Sequence, residues 1–460
     1  MKKSYIKSVI AACAIGCTMS ASAQTLHSGY FLDGMVQRHE LNAAFGGECN
    51  FVVLPAISGT QVGLSTNFGM ENYFFNHNGE LHTGLSPEIS ADQFLKGLPA
   101  NNILSFELNL PITTVGFRGL GGFNTITIRE RTFLDANIPS SLFSFLKLGA
   151  DPATGIAKYD IDNLYINTSS YMEIALGHSR KLDALEGFSY GAKLKFLFGL
   201  LGSSLNINHI GIEMSQNQWN ISTQGEFIIS NMINVNIEDD GSITGVNMSN
   251  FGISGFGFGV DLGAVYTPAA LPELTVSLAL NDIGFNSWSN MNKYVTQENF
   301  VFEGFNKIGS TETGSLEEQL NDIVDDMGEL IHIEETKPTT HTQSLRTTLN
   351  VGAEYAILDR KISFGLLSST RFGSPTVYAE GMAVVNFRPA SWFQASINGS
   401  VSTLGAAIGA VINFCPNGAN IFIGCDYVTP NMKFSPQGIP VKALRANVCA
   451  GVAITFGKRN

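Results

Sequence analysis

Between Arg346 and Phe456, polar and charged side chains recur at alternate positions, and no catalytic motif accompanies them. Glu354, Arg371, Tyr378, Glu380, Arg388 and Arg445 share one face of this period-two pattern with Asn386, Gln394, Asn398 and Asn447. Inside a barrel, such groups either pair across the lumen or line a pathway. Both signs of charge are present, which favours an ion-pair lattice over a strongly selective pore. Gly352, Gly365, Gly409 and Gly451 on the same face leave room for opposing side chains or for an apolar ligand.

Other chemistry finds no support. There is no Gly-x-Ser-x-Gly, no His-Glu-x-x-His and no phosphate-binding loop. His178 with Ser170 or Ser189 would be the raw material of a hydrolase, but nothing in their spacing pairs them. Glu317, Glu318, Asp322, Asp325, Asp326 and Glu329 do not follow a calcium-loop spacing. The sequence therefore predicts no catalytic residue, no cofactor and no metal site. A net charge of −12 argues against nucleic acid as a partner.

The elements that must position these residues are strands. Leu349, Val351, Ala353, Tyr355 and Ile357 alternate with Thr348, Asn350, Gly352, Glu354 and Ala356. The pattern repeats through Ile362–Leu367, Val377–Arg388, Phe393–Ser402, Leu404–Phe414, Ala419–Tyr427 and Leu444–Phe456. Amphipathic strands of about ten residues fit a transmembrane antiparallel β-barrel, apolar outside and polar inside. A soluble β-sandwich also alternates, but the N-terminus argues for export. Lys2, Lys3 and Lys7 precede the apolar run Val9–Ile15, and Ala21-Ser22-Ala23 is a cleavage site, which makes Gln24 the mature N-terminus. No later stretch is long and apolar enough for a membrane helix. Cys49, Cys415, Cys425 and Cys449 remain after cleavage, with either one disulfide or free thiols open to them.

The chain divides into a signal peptide over 1–23, an N-terminal segment over 24–60 that reads as a plug or hatch, and a barrel over 61–460. Earlier strands are expected at Gln61–Phe68, Ile103–Leu110, Thr113–Arg118, Asn124–Arg131, Tyr171–His178, Phe188–Phe198, Leu205–Glu213 and Trp219–Ile228. A short apolar helix is expected over Ile138–Leu148, after Pro139. Asn290–His341 reads as a long loop insertion. Leu316, Leu320, Ile323, Val324, Met327, Leu330 and Ile331 within it recur at helical spacing opposite the six carboxylates. Placing Phe456 at the periplasmic end sends this insertion and Val428–Pro440 outward, and the short turns inward.

Asn42-Ala43-Ala44-Phe45, followed by Val53-Leu54-Pro55, resembles the Asn-Pro-Ala-Phe opening of an uncharacterised family of Bacteroidota outer-membrane barrels. Asp261–Tyr266 with Leu274–Gly284 is similar to that family's central hairpin, and Phe364–Phe372 also fits. The family usually has Pro where this chain has Ala43. It is distantly similar to FadL-type and PorV-type barrels, which implies about fourteen strands and an N-terminal segment in or near the lumen. Two functions are expected. One is passive uptake of small hydrophobic molecules across the outer membrane, in contact with its lipid. The other is a non-transporting scaffold that presents the 290–341 insertion to a protein partner.

Overall fold

The computed structural model describes residues 26–457, apart from 54–58, 78–79, 152, 216–217, 231–232, 238–242, 249–251, 297–298, 303–332, 374–376, 429–440 and 444. The signal peptide, its cleavage point at Ala23 and Gln24, and the helix expected over Leu316–Ile331 lie outside the described residues.

In chain order the strands are β1 Asn50–Val53, β2 Thr60–Thr66, β3 Phe74–His77, β4 Glu80–Thr83, β5 Asn101–Gly119, β6 Gly122–Pro139, β7 Ala157–Lys181 and β8 Phe188–Met214. There follow β9 Trp219–Ile229, β10 Ile233–Ile237, β11 Ile243–Met248, β12 Gly255–Tyr266, β13 Leu274–Thr296, β14 Asn299–Phe302, β15 Ile333–Glu335 and β16 Thr339–Ser344. The last are β17 Thr348–Ile357, β18 Ile362–Arg371, β19 Tyr378–Ala390, β20 Phe393–Ser402, β21 Gly405–Phe414, β22 Ala419–Val428 and β23 Arg445–Phe456.

Nineteen of these segments form one antiparallel sheet that closes on itself, because β23 pairs with β1 and β2, which pair in turn with β5. They fill fourteen wall positions. β1 and β2 share the first position. β9 and β12 share another, as β9 begins its pairing with β8 at Ser203 and β12 at Gly199. The β10–β11 hairpin is inserted at that break. β15, β16 and β17 share a position against β13.

Alternation decides which side chains face where. On β17 to β23 the inward residues are buried and mostly polar or small, while Val351, Phe364, Leu366, Ile397, Val401, Ile408 and Ile423 are exposed on the outer face. A continuous exposed apolar face of this kind is what a bilayer covers. Among the described residues, no helix is long and apolar enough to cross a membrane.

The structure differs from the sequence expectation in four places. Phe188–Phe198 and Leu205–Glu213 are one continuous strand, β8. The wall begins at Asn50 rather than Gln61, because β1 has only four residues and carries too little pattern to detect. Ile103–Leu110 and Thr113–Arg118 are one strand, with a register shift between Pro111 and Thr113. Pro111 has no N–H for the ladder, so the strand bulges instead of ending. Asn290–His341 is not all loop: β13 continues to Thr296, and β14, β15 and β16 add to the wall there.

β7 and β8 have 25 and 27 residues. At about 3.3 Å per residue and about 40° of tilt, they overshoot an apolar band about 25 Å tall. The excess rises at the long-loop end. There the helix Ser140–Leu148 seats Leu142, Phe145 and Leu146 on Ile161, Leu164, Ile207 and Ile210. The opposite end carries tight turns, including Leu120-Gly121 and Leu358-Asp359-Arg360, whose residues hold positive φ.

Candidate functional site

The site is the inner face of the sheet and the stretch of chain packed against it. Leu26–Phe45 forms two short 3-10 turns, His27–Gly29 and Val36–Glu40, and most of its side chains are buried. It has no period because it lies on no sheet and touches wall on several sides. Tyr30, Phe31, Leu41 and Phe45 pack on the inward side chains Leu367, Met382, Val384 and Ala407. Leu26, Leu32 and Met35 pack on Val411, Phe422 and Cys449. Close approach requires glycine in the wall: a β-carbon at Gly365 would come within 2.5 Å of the Phe31 ring.

The segment's backbone polar groups bond within its own turns and, at several points, to inward-facing side chains of the wall. The Asp426 carboxylate accepts from the amides of His27 at 2.5 Å and Ser28 at 2.8 Å. Gln394 accepts from the Gly34 amide, and Asn420 donates to the Gly34 carbonyl. Asn281 and Asn350 both donate to the Leu41 carbonyl, at 2.8 and 3.1 Å. Arg388 donates to the Phe31 carbonyl at 2.5 Å.

The six charged and phenolic residues read from the sequence all lie on the inner wall, in two groups. Near the tight-turn end, the Arg388 guanidinium meets Glu354 at 2.6 Å, with Arg360 at 3.6 Å from the same carboxylate. Further along, Glu380 accepts from Tyr427 at 2.6 Å and sits 3.7 Å from Arg445, which donates to the Tyr378 hydroxyl. The Arg371 guanidinium lies over the Tyr378 ring and 3.4 Å from Glu107. His27 joins this second group, its Nδ1 3.3 Å from Glu380.

Sequence reasoning missed a third group on the opposite wall. Lys195 bridges Asp261 at 2.6 Å and Asp282 at 2.5 Å, Arg131 meets both oxygens of Asp282 at 3.0 Å, and Arg129 joins Glu173 to Glu40. The signal was present: Arg129 and Arg131 alternate with Ile128 and Glu130, and Lys193 and Lys195 with Leu194 and Phe196. Asp282 breaks the alternation, because it holds a φ of 58° beside a register shift in β12.

Two cavities flank the segment. One of about 60 Å³ is lined by His27, Glu40, Leu41, Arg131, Arg371 and Tyr378. The other, about 330 Å³, is lined by Phe31, Asp33, Arg38, Phe45, Glu354 and Arg360. Along β13 and β17 they are bounded by Asn281 and Asn350 on one side and Ser277 and Glu354 on the other. Tyr30, Leu41 and Asn42 bond to these bounding stretches. Tyr30 meets Ser277 at 3.0 Å, and Asn42 donates to Tyr30. No disulfide joins Cys49, Cys415, Cys425 and Cys449 to one another.

Residues 44–426 match the profile of a family of unknown function, DUF5723. The chain belongs to that family. No curated protein matches it. Among solved structures, this DUF5723 barrel is similar to the toluene transporter TbuX of Ralstonia pickettii, at 8% identity over 91% of this chain and 92% of that one, with a TM-score of 0.39. It is similar to the toluene transporter TodX of Pseudomonas putida, at 7% identity over 95% of each chain, with a TM-score of 0.41. A FadL homologue of Pseudomonas aeruginosa is 10% identical over 90% of this chain and 91% of that one, with a TM-score of 0.36. No property of those proteins follows for the DUF5723 barrel from likenesses this remote.

Proposed function

We propose that this chain is an outer-membrane barrel that takes up small hydrophobic molecules passively, with Leu26–Phe45 as the gate. Orientation follows from loop length: the tight turns face the periplasm and the long loops face outward. The observation that carries the reading is that the two cavities meet the same two strands at neighbouring positions, where Leu41 bonds Asn281 and Asn350 and Tyr30 bonds Ser277; we read Tyr30, Leu41 and Asn42 as the barrier layer between them. The hydrophobic cargo rests on the resemblance to FadL-type barrels and on the apolar inner strip of Leu367, Met382 and Val384, which the segment covers. The charged lining of the smaller cavity favours cargo with a polar end over a pure hydrocarbon.

A permanently sealed scaffold is the competing reading, and the density of bonds on the segment favours it. Each buried hydrogen bond contributes about 1 kcal/mol, and each buried large apolar side chain about 1.5–3 kcal/mol. Withdrawing the whole segment would forfeit tens of kcal/mol on these figures, so a gate must open locally, at the layer between the cavities. The test is uptake of a neutral aromatic dye by vesicles carrying the purified protein. Uptake well above that of protein-free vesicles supports the gate; uptake equal to them removes the transport reading and leaves the scaffold.

A further inference from the structure

The N-terminal segment carries two buried histidines in opposite electrostatic surroundings. His39 lies in the Val36–Glu40 turn, with its ring stacked 5.9 Å from Phe51 on β1. The Lys193 ammonium on β8 donates to the His39 carbonyl at 2.5 Å and lies 3.1 Å from its Nδ1. An ammonium has only donors, so Nδ1 must be an unprotonated acceptor in this arrangement. The other charged groups facing the ring are Arg129 on β6 and the adjacent Glu40, which is already bound to Arg129. Behind Lys193 stand Asp261 and Lys195.

We propose that His39 is an acid-triggered release for the N-terminal segment: a proton on its ring removes one of the two acceptors that hold Lys193, leaving the carbonyl, and sets two cations against each other inside the lumen. Burial and then the charges of Lys193 and Arg129 hold the imidazole well below the usual histidine range while the segment is docked. The docked state therefore binds fewer protons than the released one. Docking is full above the free-histidine value and weakens as pH falls below it. Its role as the trigger of a gate rests on the proposed uptake; the docking chemistry does not.

The release is local. The Val36–Glu40 turn adjoins Leu41, whose carbonyl holds the two asparagine latches of the barrier layer. Loosening it opens the layer without lifting the anchor at His27 and Ser28 on Asp426, which is built from acceptors that no proton on His39 touches.

Hydrogen exchange of the full-length protein in detergent, read by mass spectrometry and corrected for the intrinsic rate at each pH, tests this without any cargo. Protection of the Val36–Glu40 amides is expected to fall about tenfold for each pH unit below about 6.5, the dependence that one proton produces. His39→Gln keeps an acceptor for Lys193 and cannot be protonated, so its protection is expected to stay flat. Lys193→Met removes the facing cation and is expected to shrink the acid effect. pH-independent protection in the wild type, or an acid loss unchanged in both variants, overturns the proposal. A dye-uptake failure with the exchange pattern intact would remove the transport reading and leave the acid release standing.

Discussion

A β-carbon placed on Gly34 in the N-terminal segment would stand 2.9 Å from the Sγ of Cys415, at the end of β21. That is about the Cβ-to-Sγ separation within a disulfide. Gly34 is not among the glycines with positive φ, so a side chain suits its backbone. The Gln394 side-chain oxygen, 3.0 Å from the same point, can rotate aside. Gly34→Cys is expected to oxidise onto Cys415 in the folded barrel, so that thiol titration after unfolding finds one thiol fewer than in the wild type. Free thiols at both positions after mild oxidation would show that the segment does not sit on this wall.

The opposite-wall network predicts a large stability effect from one substitution. Lys195→Met leaves Asp261 buried without the ammonium at 2.6 Å, while Asp282 keeps Arg131. Removing one partner of a buried pair costs about 3–5 kcal/mol. Denaturant unfolding in detergent should show a loss of that order, and adding Asp261→Asn should recover part of it. A loss under about 1 kcal/mol would mean that the charges are solvated and the lumen is wetter than described.

Wall glycines separate packing against the segment from packing against lipid. Gly365→Val is expected to displace Phe31 and destabilise by about 1–3 kcal/mol, with faster proteolysis of the segment as the reporter. Gly381→Ala is the control. It faces outward, where a β-carbon meets nothing within 4 Å, and is expected to be silent. Equal effects at both positions would contradict the inward placement of Phe31.

His27 predicts the opposite pH response to His39. Burial opposes its charge, but the hydrogen bond and charge of Glu380, with Asp426 and Glu107, outweigh burial and raise its affinity for a proton. A raised value in the docked state means that this contribution is complete below about 6.5 and is lost as pH climbs through the docked value. Exchange protection at His27–Tyr30 should therefore decline on the alkaline side, and His27→Gln should abolish that decline. Protection that rises with pH in this stretch would reverse the sign and refute the assignment.

The wall was legible because its signal is local. Val351, Tyr355, Phe364 and Ile397 announce an outer face by alternation alone, and Glu354, Glu380 and Arg388 follow as the inner face by parity. What alternation cannot supply is pairing across the lumen. Lys193 and His39 are 154 positions apart, and Asp426 and His27 are 399 apart. Nothing in either local sequence names the other. The N-terminal segment was legible as a distinct stretch but not in its contacts, since 3-10 turns fitted to several strands at once leave no period. The break between β9 and β12 was hidden for a similar reason, because the two pieces occupy one wall position on either side of an inserted hairpin.

The most direct measurement of the central claim is dye uptake by vesicles carrying Gly34→Cys, oxidised and then reduced. If the segment gates passage, the oxidised protein takes up markedly less neutral aromatic dye, and reductant restores the wild-type rate. Uptake that is above the protein-free level and indifferent to the cross-link would contradict the account, because cargo would then be passing by a route that the N-terminal segment does not control.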